Sequence, residues 1–310
     1  MPAIDVIHFS DPGCPWAWSA SPALSVLQWR YGDQLAWRHV MIGLTESGSV
    51  YEGRGYTPAR SARGYRSFRH RGMPFATEPR ERIHGTWPMC RVVVAARLQA
   101  PEREWTVFRA LQFAQFTSTR YLEDFGELRA AIDWVPGIDA DAIVAAAQGP
   151  EVDQAFAADR DEARSAAGGP TEFQGKSANY DGRVRYTAPS VRFTQGDRTL
   201  EGGGFQPVEV YDVLIANLDT TLDRRGPAED AAEILPEFPD GLTTAEVAAI
   251  MTPNNGSPDL DAAEDSLISL VGDGGAQRRP FGHDALWVPA PDRVTRSAAP
   301  GVVRALSSTT

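Results

Sequence analysis

Cysteine is scarce in this 310-residue chain: Cys14 and Cys90 are the only two. Two such residues cannot build the disulfide framework of a small secreted domain. Basic charge is in deficit as well, with 30 Lys and Arg against 41 Asp and Glu and a net charge of -11. That balance argues against a general affinity for nucleic acid or for an anionic membrane, since both attract basic surfaces. No apolar run reaches the roughly 18 residues that a membrane-spanning helix needs. The start, Met1-Pro2-Ala3-Ile4-Asp5-Val6, has no basic region and no apolar run of signal-peptide length, so a cytoplasmic protein is expected. The five histidines are scattered, without the paired His or Cys spacing of a metal site. Gly202-Gly203-Gly204 lacks the phosphate-loop pattern and reads as a hairpin exit.

What is present is enough for two domains, or for one domain with a large insertion. Val6 to Ser10 reads as a short strand ended by the turn Asp11-Pro12-Gly13. A helical pattern follows from Pro15 to Tyr31, with Pro15 well placed in a first turn. Leu35 to Ile42 alternates as a second strand, which gives a β-α-β opening with Cys14 at the strand-to-helix turn. From about Pro58 to Ala167 helices are expected at Arg82–Leu98, Glu102–Phe116, Asp124–Trp134, Asp139–Gln148 and Glu151–Ala167. Strand character returns at Thr187 to Phe193. A hairpin partner follows at Arg198 to Glu201, then a helix at Pro207 to Leu218. Residues 1–218 therefore read as an α/β domain split by an all-helical insertion at about 58–168. Residues 219–240 have the Pro, Asp, Glu and Arg content of a linker. Residues 241–290 read as two helices and a two-stranded wing, the outline of a winged helix-turn-helix; 291–310 are expected to be disordered.

The chemistry concentrates in Asp11-Pro12-Gly13-Cys14-Pro15-Trp16-Ala17-Trp18. A cysteine at a helix N-terminus faces unpaired N–H groups and the positive end of the helix dipole. Both favour the thiolate, so its pKa is expected to fall below that of free cysteine. This motif, together with Thr187-Ala188-Pro189-Ser190-Val191, resembles the DsbA-like branch of the thioredoxin superfamily over roughly residues 4–218. That branch includes FrnE-type proteins, glutathione transferase kappa and the hydroxychromene carboxylate isomerases. The resemblance implies a thioredoxin-like fold and a cis peptide before Pro189, facing the nucleophile. It also implies that Thr187 and Ala188 help to hold an extended substrate or mixed disulfide. One departure is large: the family's oxidoreductases usually carry Cys-X-X-Cys, and the fourth position here is Ala17. Cys14 cannot form the internal disulfide that stores oxidising equivalents. Cys90, in the apolar stretch Trp87 to Val94, reads as a packing residue rather than a resolving thiol.

A single activated thiol supports two chemistries. In monothiol exchange, Cys14 forms a mixed disulfide that a low-molecular-weight thiol cosubstrate resolves, with no tightly bound cofactor. In redox-neutral catalysis, reversible addition of Cys14 to a conjugated alkene makes a double bond rotatable, as in a cis-trans isomerase. The resemblance does not choose between them, and a non-catalytic interaction or regulatory protein is the third class.

Other site candidates surround the motif. Trp16 is expected to line an apolar pocket and Trp18 to lie in the core. Asp11 is read either as a cap for the turn or as an influence on Cys14. His84 is a candidate acid–base group beside Cys14, and the loop Thr171 to Lys176 a border of the pocket. Arg54, Arg60, Arg63, Arg66, Arg69 and Arg71 form a local basic stretch, either a solvated helix face or an attractor for an anionic small-molecule substrate. The second helix of the C-terminal unit carries Asp259, Asp261, Glu264 and Asp265 and no basic residue, which disfavours DNA binding. That unit is read as packing on the main domain or mediating a homodimer.

Overall fold

The computed structural model describes residues 3–179 and 182–293. The chain opens with β1 (Ile4–Ser10), α1 (Pro15–Ser19), α2 (Ser21–Tyr31) and β2 (Leu35–Met41). The single helix expected over Pro15–Tyr31 is thus two, parted at Ala20 (φ −85°, ψ −9°). Pro22 supplies the reason: it has no N–H for the carbonyl of Trp18, and its ring crowds that carbonyl.

The insertion contributes α3 (Gly48–Gly53), α4 (Pro58–Phe68), a 3-10 turn at Arg69–Arg71, α5 (Trp87–Gln99) and α6 (Glu104–Thr117). It continues through α7 (Phe125–Ile132), α8 (Ala140–Ala146), α9 (Pro150–Ala163) and α10 (Pro170–Phe173). The helix expected from Arg82 starts instead at Trp87, because Pro88 is tolerated in a first turn but not further inside. Met89, Cys90, Val92, Val93, Val94, Ala95 and Ala96 are all buried, so α5 is the axis of this block. Arg97 ties it to the sheet: its guanidinium donates to Asp159 and Glu104 and to the carbonyl of His39.

After the insertion come the short pair β3 (Ser177–Ala178) and β4 (Arg185–Tyr186), then β5 (Ser190–Gln195), β6 (Arg198–Gly202) and α11 (Val208–Leu218). The main sheet has the order β2-β1-β5-β6. β1 and β2 run parallel, while β5 is antiparallel to both β1 and β6. Leu24, Leu27 and Tyr31 of α2 and Tyr211, Ile215 and Leu218 of α11 pack with Val6, Val191 and Phe193 of the sheet in one core cluster. The register sets His8 opposite His39, and their Nδ1 atoms lie 3.4 Å apart in the core.

The C-terminal unit holds α12 (Ala231–Ile234), a 3-10 turn at Leu235–Glu237, β7 (Leu242–Thr243), α13 (Thr244–Met251), α14 (Leu260–Gly272), β8 (Ala276–Phe281) and β9 (Asp284–Pro289). Its strands form a sheet of order β7-β9-β8, three strands where a two-stranded wing was expected. The segment 219–240 is not a free linker. Ala228, Ala231, Ile234 and Leu235 are buried in one cluster with Val247 and Ala248 of α13 and with Val26 and Trp29 of α2. The unit therefore packs on the main domain through α2. Pro291–Arg293 forms a last 3-10 turn, and the rest of the expected disordered tail, 294–310, lies outside the described residues. No helix among the described residues is long and apolar enough to cross a membrane.

Candidate active site

β1 runs into the turn that sets Cys14. The Asp11 carboxylate accepts from Gly13 N at 2.8 Å, and the Asp11 carbonyl accepts from Cys14 N at 3.0 Å. Gly13 has no substitute here, because an added Cβ would lie 2.4 Å from Cγ2 of Thr86 at the start of α5. Cys14 then caps α1 in an extended conformation (φ −88°, ψ 116°). Its Sγ donates to the carbonyl of Ala188 at 3.1 Å, and the peptide joining Ala188 to Pro189 is cis. Cys14 and the proline segment therefore meet across 174 residues of sequence.

The electrostatics differ from the sequence expectation. Cys14 is 5% exposed, and its pKa is pushed up to about 12. Burial is the main cause and the charge of Asp11 adds to it; the N–H groups of Ala17 and Trp16 and the charge of Arg185 act in the opposite direction. Cys14 caps a helix of five residues, and its sulfur has lost its water, so desolvation outweighs the helix N–H groups. The resting group is a thiol.

Asp11 is fully buried, and its carboxylate is occupied by structural hydrogen bonds. Besides Gly13 it accepts from Leu44 N at 2.8 Å, from the Thr86 hydroxyl at 2.8 Å and from Cys90 Sγ at 3.5 Å. Burial raises its pKa against the pull of those donors. Cys90 packs in the core as expected, and it also faces the carboxylate that shapes the Cys14 turn.

Trp18 is buried, with its Nε1 donating to the carbonyl of Pro74. Trp16 points outward at 42% exposure. Its ring meets Phe68 edge-on at 4.9 Å and Phe205 at 5.6 Å, and the Arg71 guanidinium lies over it at 4.5 Å. His84 is buried, with Nδ1 3.0 Å from the carbonyl of Gly85 and its ring against Tyr121. Burial lowers its pKa to about 4. No hydrogen bond or ring contact among the described residues joins it to Cys14, so the structure does not bring these two candidates together.

Thr187 is only partly available to a ligand. Its carbonyl accepts from Ser190 Oγ at 2.7 Å, and its hydroxyl donates to the carbonyl of Lys176 at 2.7 Å. Ser190 Oγ in turn accepts from Gly204 N at 3.0 Å. The loop 171–176 does abut this segment: a Cβ on Gly203 would lie 2.8 Å from Thr171 Cγ2 and 3.0 Å from Lys176 Cβ. Phe68, Phe205 and Ser190 were not singled out from sequence, because apolar and small polar residues carry no signal until the fold gathers them. A cavity of about 430 Å³ lies elsewhere, bordered by Trp29, Trp37, Trp105, Arg225 and Phe238. It has neither cysteine nor Pro189 in its wall. No His, Cys, Asp or Glu cluster among the described residues can hold a metal ion.

Comparison with solved structures supports the fold. A candidate protein disulfide isomerase from Nitrosomonas europaea aligns with a TM-score of 0.53 and 20% identity, covering 69% of this chain and 96% of that one. A candidate DsbA oxidoreductase from Streptomyces coelicolor aligns with a TM-score of 0.51 and 18% identity, covering 74% of this chain and 94% of that one. Comparison with curated proteins gives no significant match. The DSBA-like thioredoxin domain family matches residues 5–186, which span β1, the Cys14 turn, the whole helical insertion and β4. With more than half of its length matched, the chain belongs to the DSBA-like thioredoxin domain family, a family of thiol oxidoreductases.

Proposed function

We propose that this chain is a monothiol oxidoreductase acting on a small molecule, with Cys14 as nucleophile and a low-molecular-weight thiol as cosubstrate. The observation that carries the reading is the pairing of Cys14 Sγ with the carbonyl before Pro189, in a motif whose fourth position is Ala17. A docked disulfide would take the place of that carbonyl contact, with Trp16 as one wall and the Thr187–Pro189 backbone as the other. Cys14 first gives up its proton, a step assisted by the N–H groups of Trp16 and Ala17. The thiolate attacks one sulfur of the substrate disulfide, forming a mixed disulfide and releasing the other sulfur as a thiol. A small thiol then attacks the substrate sulfur of the mixed disulfide, freeing Cys14 and leaving that sulfur in a disulfide with the small thiol. A second small thiol displaces it, so one substrate disulfide becomes two thiols while two small thiols become one disulfide.

Intact mass after incubation with oxidised glutathione tests this directly. One adduct per chain is expected, removed by a reductant and absent from Cys14→Ser. Absence of any adduct overturns the reading. Turnover of a conjugated alkene without an electron donor, lost in Cys14→Ser, would establish the isomerase chemistry instead. Partner binding undisturbed by Cys14→Ala, without adduct formation, would establish the non-catalytic class.

A further inference from the structure

We propose that Arg71, packed against the neighbouring rings of Trp16 and Phe205, forms an anion-binding subsite that selects carboxylate-bearing disulfides for Cys14; this rests on the monothiol reading above. The guanidinium sits 4.5 Å from the Trp16 ring centroid and 4.6 Å from that of Phe205. Phe68 meets the Trp16 ring edge-on at 4.9 Å. The two rings are neighbours, their centroids 5.6 Å apart and tilted by 60°, and they support the guanidinium but offer it no hydrogen-bond acceptor.

Among the described residues, Arg71 has no ion pair and no side-chain hydrogen bond, and its Nε is buried without a partner. A buried donor left unpaired is costly, and a ligand acceptor would remove that cost. The other cations of the stretch differ. Arg60 donates to the carbonyl of Gly55 and lies over Tyr56, and Arg69 donates to the carbonyl of Phe75. Arg63 and Arg66 are exposed on α4. Arg71 reaches Trp16, a residue of the Cys14 motif.

Lys176 lies beside Gly204, the residue before Phe205. Its side chain packs on Gly204, and its carbonyl holds the Thr187 hydroxyl. A chain of net charge -11 repels anions at long range, so an anionic substrate needs such local cations at the reacting centre. A planar carboxylate on an aromatic or short-chain disulfide fits both features. The rings take its body, and the guanidinium edge takes its two oxygens as a fork.

The test is the rate at which reduced full-length protein attacks two aromatic disulfides at low salt: dithionitrobenzoate, which carries carboxylates, and neutral dithiodipyridine. Arg71→Gln is expected to slow attack on dithionitrobenzoate by about tenfold, the loss of one charge-assisted hydrogen bond, and to leave dithiodipyridine unchanged. Arg63→Gln, which removes the same charge from the same cluster, should leave the ratio of the two rates as in the parent protein. Arg71→Lys, which keeps charge but loses the planar fork, should fall between parent and Arg71→Gln, and it serves as the reading if Arg71→Gln fails to fold. Equal slowing of both probes, or of neither, overturns the subsite while the monothiol reading stands. If the parent protein attacks neither probe, that reading falls as well.

Discussion

At the scale of the residue, Cys14 shows two effects in opposition. The N–H groups of α1 favour a thiolate, and burial favours a thiol; burial wins, as the rise to about 12 records. The pH dependence follows from the sign of that shift. Below its pKa the thiolate fraction of a cysteine grows about tenfold per pH unit, so alkylation by iodoacetamide should climb without a plateau between roughly pH 7 and 10. A plateau beginning near neutrality would show that the helix terminus outweighs desolvation after all. Cys90 does not confuse the measurement, since it is fully buried and its own pKa is raised well above the ordinary value by burial and by Asp11. The nucleophile and its proline partner were legible as residues. Their hydrogen bond was not, because a sequence does not state what a sulfur faces once it leaves water.

At the scale of the element, the parallel pairing of β1 and β2 puts two imidazoles side by side in the core. Burial lowers the pKa of His8 to about 3; burial, with the charge of His8 next, takes His39 well below its usual range. Both rings are neutral in the folded state and take up protons near pH 6.5 once unfolded. Their contribution to stability is therefore complete above the unfolded pKa and is lost as pH falls from about 6.5 toward 3. Replacing His39 by Phe, a ring suited to a place against Trp105 and Phe108, should remove one of these protons. The slope of unfolding free energy against pH would then fall by up to about 1.4 kcal/mol per unit in that window. Chemical denaturation at a series of pH values checks it, and an unchanged acid limb refutes it. Helix boundaries taught a related lesson. The order of the longer helices was readable from periodicity, whereas α3, α4, α10 and α12 were not named from it, and the break at Ala20 and the late start at Trp87 were set by Pro22 and Pro88.

At the scale of the whole molecule, the C-terminal unit is joined to the rest by a buried carboxylate. Glu246 is fully buried, and it accepts from both guanidinium nitrogens of Arg109 at 2.5 and 2.8 Å and from the Ser25 hydroxyl at 3.0 Å. The same side chain completes a capping box with Thr243. Burial alone would raise its pKa, but Arg109 and Thr243 together hold it below the ordinary carboxylate range. One side chain thus ties α13 to α2 and to α6. Removing its charge leaves Arg109 buried and unpaired, so Glu246→Gln should cost about 3–5 kcal/mol of stability. Calorimetry should show the parent chain melting in one transition, since the unit shares its core with α2. A separate early transition of the C-terminal unit, or a variant as stable as the parent, would contradict this joint.

Sequence alone determined the β-α-β opening, the helical insertion, the returning hairpin and the Cys14 motif with its missing second thiol. These are local matters of periodicity, turn chemistry and residue identity. It also exposed the basic stretch that contains Arg71, though not which arginine mattered. Tertiary structure decided the rest. It buried Cys14, which raises its pKa, gave the Asp11 carboxylate its partners in the turn and in α5, and left His84 without a hydrogen bond or ring contact to Cys14 among the described residues. It folded the expected linker into a core and gathered Trp16, Arg71 and Phe205 into one wall. Each of these depends on desolvation or on a contact between distant residues, and neither quantity is a property of any short stretch of chain.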